Sequence, residues 1–184
     1  PSTSLKSCSA NSNGAYGIWV ENAGLLANCS ADGNAKGIYV GAYSSELINC
    51  LANNNTTYGV ELLNSSTLIQ NSTFSGNGIG IYADGNSGPA FVNVIIFDNA
   101  TELAGSSNSN YTISYSDIKN GSAFGAWATG LGNIDANPLF IGSGNYQLQS
   151  GSPCINTGNP SESYNDTDGS RNDMGAYGGT KGNW

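Results

Sequence analysis

Histidine is absent from all 184 residues, and basic residues are few: Lys6, Lys36, Lys119, Arg171 and Lys181. Without imidazole the chain lacks the usual acid–base group at neutral pH and the commonest metal ligand. Scattered single cations do not form the stripe that neutralises phosphates, which excludes nucleic-acid binding and attraction to an anionic bilayer. Charged residues make up only 10%, against about 25% in an ordinary globular chain. No apolar run approaches the roughly 18 residues of a transmembrane helix, so membrane insertion is not expected. No secretory leader is expected within these residues. Pro1 opens directly into polar sequence, as in a secreted chain after cleavage or a segment of a longer one.

Gly, Asn and Ser fill the space that charge leaves. Such a mixture could signal disorder, but a disordered chain does not hold aliphatic residues in fixed register. From Cys8 to Asn99 the chain repeats itself. "CSANSNGAYGIWVENAGLLAN" begins at Cys8, "CSADGNAKGIYVGAYSSELIN" at Cys29, "CLANNNTTYGVELLNSSTLIQN" at Cys50 and "STFSGNGIGIYADGNSGPAFVN" at Ser72, in steps of 21, 21 and 22. Each unit has three short apolar pieces separated by Gly/Asn/Ser turns. Alternation of period two over such lengths indicates strands, and no 3.6-residue stripe runs through any unit. Three strands per turn, stacked unit on unit, predict an all-β fold: a three-sheet parallel β-helix, or solenoid, with rungs about 4.8 Å apart.

The columns can be named. The inward ones are Ile18, Ile38, Val60, Ile81; Val20, Val40, Leu62, Ala83; Ala10, Ala31, Ala52, Phe74, Ile96; and Leu5, Leu26, Leu47, Ile69, Phe91. Two columns are asparagine: Asn28, Asn49, Asn71, Asn93, and Asn13, Asn34, Asn55, Asn77, Asn99. Asn accepts the left-handed conformation of tight turns, and its amide can donate to the same amide one rung away, so both columns are expected to form ladders. Rungs are expected over residues 1–118, with "YTISYSDI" (111–118) as the last. Residues 119–184 form a tail that folds back as a cap of the same domain. Leu5 is already a core position, which predicts an open N-terminal rung at Leu5 and Leu26. Either a preceding chain segment or a second subunit would cover it, and the latter would give head-to-tail self-association.

The tail segments "GNIDANPLFIGSGNYQLQSGSPCINTGNP" and "NDTDGSRNDMGAYGG" resemble the ending of many large extracellular right-handed β-helix proteins of bacteria and archaea. The repeat resembles the parallel β-helix of the pectin-lyase-like superfamily. The resemblance implies a right-handed solenoid in an extracellular or cell-surface setting. It does not imply a reaction, since such repeats occur in lyases, adhesins and surface proteins alike. Asn137, Asn156 and Asn159 stand where that tail often carries Asp, which argues against an acidic role there.

Four sets of residues are candidates for function. Trp19, Tyr39, Glu61 and Tyr82 form an outward column that would stack sugar rings, meet a neighbouring subunit, or simply favour the strand. Asp166, Asp168 and Asp173 put three carboxylates around the turn at Gly169, either as ligands of Ca²⁺, the one cofactor considered, or as Asx-turns with Arg171 neutralising an Asp. Cys8, Cys29 and Cys50 read as buried free thiols, with a Cys8–Cys29 or Cys29–Cys50 bridge as the alternative. Cys154 is left open. Of the N-x-[ST] sequons, Asn54, Asn64, Asn110, Asn120 and Asn165 lie outside the asparagine columns and are the candidates for glycosylation of a surface protein. Lyases of the resembled fold use a basic residue to abstract a proton, and glycosidases use paired carboxylates. Neither set stands beside Glu61 in register, so the chain reads as a non-catalytic extracellular or cell-surface structural module, and head-to-tail assembly would make it a filament or surface layer. The alternative is a carbohydrate-binding or polysaccharide-degrading protein using the outward aromatics.

Overall fold

A computed structural model of the protein describes residues 3–21, 24–42, 45–106 and 109–182. Pro1, on which the expectation about the chain's start rests, lies outside them, as do two residues of the loop after Ala104. The described chain winds as a right-handed parallel β-solenoid of about 5 turns, with three sheets.

Sheet S1 holds Thr3–Lys6, Gly24–Ala27, Glu46–Ile48, Leu68–Gln70, Ala90–Val92 and Thr112–Ser114. Sheet S2 holds Ser30–Asp32, Leu51–Asn53, Thr73–Ser75, Ile95–Phe97 and Asp117–Ile118. Sheet S3 holds Tyr16–Glu21, Lys36–Gly41, Tyr58–Leu63, Ile79–Asp84 and Thr101–Gly105. The register is that of the sequence repeat. Leu5 pairs with Leu26, then Leu47, Ile69, Phe91 and Ile113. Ala31, Ala52, Phe74, Ile96 and Ile118 align in S2. Ile18, Ile38, Val60, Ile81 and Leu103 align in S3. These columns fill one continuous core, with Ile38, Leu47, Val60, Ile69 and Phe74 fully buried. Burying one such side chain stabilises the fold by about 1.5–3 kcal/mol before entropy is counted.

The cysteines are free thiols. Cys29 and Cys50 lie in the core, where their sulfurs meet each other and backbone carbonyls such as Ala27 O at 3.4 Å and Ile48 O at 3.5 Å, while Cys8, expected to be buried, is only half-buried.

The two asparagine columns behave differently. Asn13, Asn34, Asn55, Asn77 and Asn99 form an inward ladder. Each side-chain amide donates to the Oδ1 of the next at 2.9–3.2 Å, and from Asn34 on it also donates to a carbonyl of the rung before, as Asn55 does to Ala31. Asn28, Asn49, Asn71 and Asn93 take the expected left-handed conformation, with φ between 43° and 58°. They do not make the expected ladder, having a single link, Asn93 Nδ2 to Asn71 Oδ1 at 3.3 Å. A left-handed corner turns the side chain outward, and there it meets the tail.

Residues 121–134 lie across the last rung. Trp127, Phe124 and Ala126 pack against the core, the Leu131 carbonyl accepts from Tyr115 N, and Ile134 bridges Asp117. The rest of the tail runs back along the solenoid as a lateral strap. Cys154, Met174 and Ile95 form a second small core over S2. Gly175 N donates to Asn93 O at 2.8 Å, Asn49 Nδ2 to Ala176 O at 2.8 Å and Gly178 O at 2.7 Å, and Asn28 Nδ2 to Lys181 O at 3.1 Å. The tail therefore covers a side of the solenoid as well as its end. A sheet face carrying Thr73, Ile95 and Asp117 offers apolar area and acceptors that a terminal cap would leave exposed.

Candidate functional site

The outer face of S3 is the richest in chemistry. Its geometry begins with glycine. Gly17, Gly37, Gly59 and Gly80 sit where the strand approaches the ladder. A Cβ on Gly37 would stand 2.4 Å from Gly59 O and 2.8 Å from Asn55 Nδ2. The chain turns inward over two successive residues there, as Gly37 and Ile38 do, and the residue before each glycine is thrown outward. Tyr16, Lys36, Tyr58, Ile79 and Thr101 therefore form an outer column beside Trp19, Tyr39, Glu61, Tyr82 and Ala104.

These two columns close on each other. Lys36 Nζ donates to Glu61 Oε2 at 3.1 Å and to Tyr16 Oη at 2.9 Å, and Tyr16 Oη donates to Glu61 Oε2 at 2.9 Å. The ammonium also stands 4.8 Å from the Tyr16 ring centroid and 5.0 Å from that of Tyr58, where the ring faces attract it. The hydrogen bond to Tyr16, and then Glu61, hold the Lys36 pKa above its ordinary value despite partial burial. Lys36 is thus an ammonium donor at neutral pH and not a proton acceptor.

The aromatics divide by exposure. Trp19 is 52% exposed and stacks on Tyr39 at 4.0 Å. Tyr39 is only 7% exposed. Its ring lies over Gly41, where a Cβ would come within 2.5 Å of Oη, and burial raises its pKa. Tyr39 is therefore the underlay of Trp19 and presents no face of its own, unlike the surface-facing residue expected. Tyr82 stacks on Tyr58 at 4.8 Å and 9°, and Asp84, within 3.4 Å of its hydroxyl, raises its pKa. The sequence reading missed Tyr16, Lys36, Tyr58 and Asp84. Simple alternation counted back from Tyr39 places Lys36 inside, and the signal that corrects it is the X-Gly pair repeated at 16, 36, 58 and 79.

The three tail carboxylates each satisfy backbone. Asp166 accepts from Gly179 N and from Asp173 N, Asp168 from Ser170 N at 2.9 Å, and Asp173 from Asn156 N at 2.7 Å. Among the described residues no three acidic, Cys or His side chains converge on one point. Arg171 does not face an Asp, but donates to Gly158 O at 2.8 Å and Thr157 O at 3.1 Å.

Of the sequons, Asn64, Asn110 and Asn120 are exposed. Asn54 Nδ2 is engaged with Asp32 at 2.9 Å and Tyr146 at 3.1 Å, and Asn165 Nδ2 with Gly169 O at 3.2 Å. Leu5 is half-buried against the core, Leu26 is fully buried, and the first strand of S1 pairs on one side only among the described residues. Glu102, which the sequence reading did not single out, is 6% exposed at the end of the Asn ladder, and burial raises its pKa to about 7.

A stack of 21- and 22-residue rungs with this register has a counterpart among known families. Residues 2–157 match the model for the right handed beta helix region, and the chain belongs to that family. The family contains both enzymes and non-enzymes. No curated protein and no solved structure matches the chain.

Proposed function

We propose that this chain is a non-catalytic structural module of an extracellular or cell-surface protein, with the outer face of S3 as its contact surface. The observation that carries this is the closed Lys36–Glu61–Tyr16 triangle. A lyase needs an uncharged base, and Lys36 is held as a cation. A glycosidase needs two available carboxylates. Glu61 is paired, and Asp84 accepts from Gly85 N at 2.7 Å, which leaves the exposed Glu21 alone. The extracellular setting rests on the tail's resemblance to secreted β-helix proteins. End-to-end stacking would require a bare last rung, and residues 121–134 lie across it. The module is therefore read as a lateral contact surface.

A second reading concerns what is contacted. Trp19, half exposed and backed by Tyr39, offers a rigid aromatic platform of the kind that stacks on a sugar ring. A glycan array run with the native protein and Trp19→Ala tests it, alongside a product-release assay on polysaccharides. Glycan retention lost in Trp19→Ala, with no product formed, is expected. Product release abolished by Glu61→Gln would overturn the non-catalytic reading, and an array without signal would remove the carbohydrate reading.

A further inference from the structure

Three of the five basic residues are engaged: Lys36 on Glu61, Lys119 on Asp98 at 2.7 Å, and Arg171 on two carbonyls. Lys6 and Lys181 have no side-chain hydrogen bond or ion pair among the described residues, and both line one cleft of about 330 Å³. The cleft lies where the end of the strap meets the first rungs, beside the bond from Asn28 Nδ2 to Lys181 O. Ser7 and Thr180 add hydroxyls to its wall, and no described carboxylate lines it. The nearest acids in sequence, Asp166 and Asp168, are occupied by Gly179 N, Asp173 N and Ser170 N.

In a chain of net charge −8, two ammonium groups without a partner among the described residues, beside the Ser7 and Thr180 hydroxyls and away from any described carboxylate, make a local positive potential against the field of the whole molecule. Lysine meets oxyanions as a mobile point charge, and hydroxyls supply further donors. We propose that this cleft binds an oxyanion, the carboxylate or phosphate group of an anionic ligand, between Lys6 on the first strand and Lys181 on the strap. A ligand held by both also ties the strap's end to the rungs. This site is independent of the S3 face.

The test is a titration of the whole chain with glucuronate and, separately, inorganic phosphate at low salt, followed by backbone amide NMR shifts. Saturable shifts confined to residues 6–7, 27–28, 167 and 180–181 are expected. Lys6→Gln and Lys181→Gln should each weaken binding about tenfold, as the loss of one charge-assisted hydrogen bond does, and Lys119→Gln should not. Stronger binding of glucuronate identifies a carboxylate ligand, and stronger binding of phosphate a phosphoryl group. Shifts that fail to saturate with either probe, or that persist unchanged in both lysine variants, overturn the proposal.

Discussion

Asn99 donates its side-chain amide to the buried carboxylate of Glu102. Glu102 occupies the strand position that Gly17, Gly37, Gly59 and Gly80 hold in the other rungs. Those rungs need glycine because the asparagine of the next rung fills the space. The last rung has no further asparagine to receive, so a side chain fits, and its carboxylate supplies the acceptor that another Asn Oδ1 would have provided.

This arrangement predicts a pH dependence. Burial raises the Glu102 pKa from 4.5 to about 7, so the folded state holds the proton more tightly than the unfolded chain. The stability it contributes is fully present below pH 4.5 and is lost as pH rises to about 7, by roughly 3 kcal/mol at most. Asp117, raised by burial from 3.8 to about 6, acts in the same direction. Urea midpoints should fall between about pH 5 and about pH 7.5, and Glu102→Gln should flatten much of that slope. An unchanged slope in the variant would show that Glu102 does not hold its proton more tightly in the folded state.

Asn55→Ala removes a rung of the ladder. It leaves Asn34 N and Asn34 Nδ2 without Oδ1 of Asn55, and each buried unsatisfied donor costs about 1–3 kcal/mol. A loss of roughly 2–4 kcal/mol is expected in chemical denaturation. Asn86→Ala, at an exposed position with no side-chain hydrogen bond among the described residues, is the control and should stay within about 0.5 kcal/mol of the native protein.

Gly59→Ala tests the close approach behind the S3 face. Its Cβ would meet Gly80 O at 2.6 Å and Asn77 Nδ2 at 2.8 Å. Backbone and ladder must both move, which should cost about 1–3 kcal/mol or more. Gly14→Ala, with nothing within 4 Å, should be near neutral by thermal melting.

Asn71→Gly separates the backbone role of the outer asparagines from their amide role. Glycine keeps the left-handed φ of 43°, while the bonds from Nδ2 to Asn172 Oδ1 and Asp173 O, both 3.0 Å, are lost. Amide exchange should accelerate over residues 172–179 and stay slow in Thr73–Ser75. Equal acceleration in both would mean that the strap and solenoid open together.

The chain alone determined the solenoid. A step of 21 or 22 residues puts like beside like one rung away, so the columns of Leu5, Ile18 and Ala31, the inward ladder and the thiol positions all follow from local repetition. Tertiary structure decided the rest. The strap joins Asn28 to Lys181 across 153 residues, and a segment without a repeat carries no register from which that pairing could be read. The phase of the S3 face was equally hidden, because packing against the ladder admits only glycine at 17, 37, 59 and 80 and throws the preceding residue outward. That contact, and not period-two alternation, brings Lys36 to Glu61.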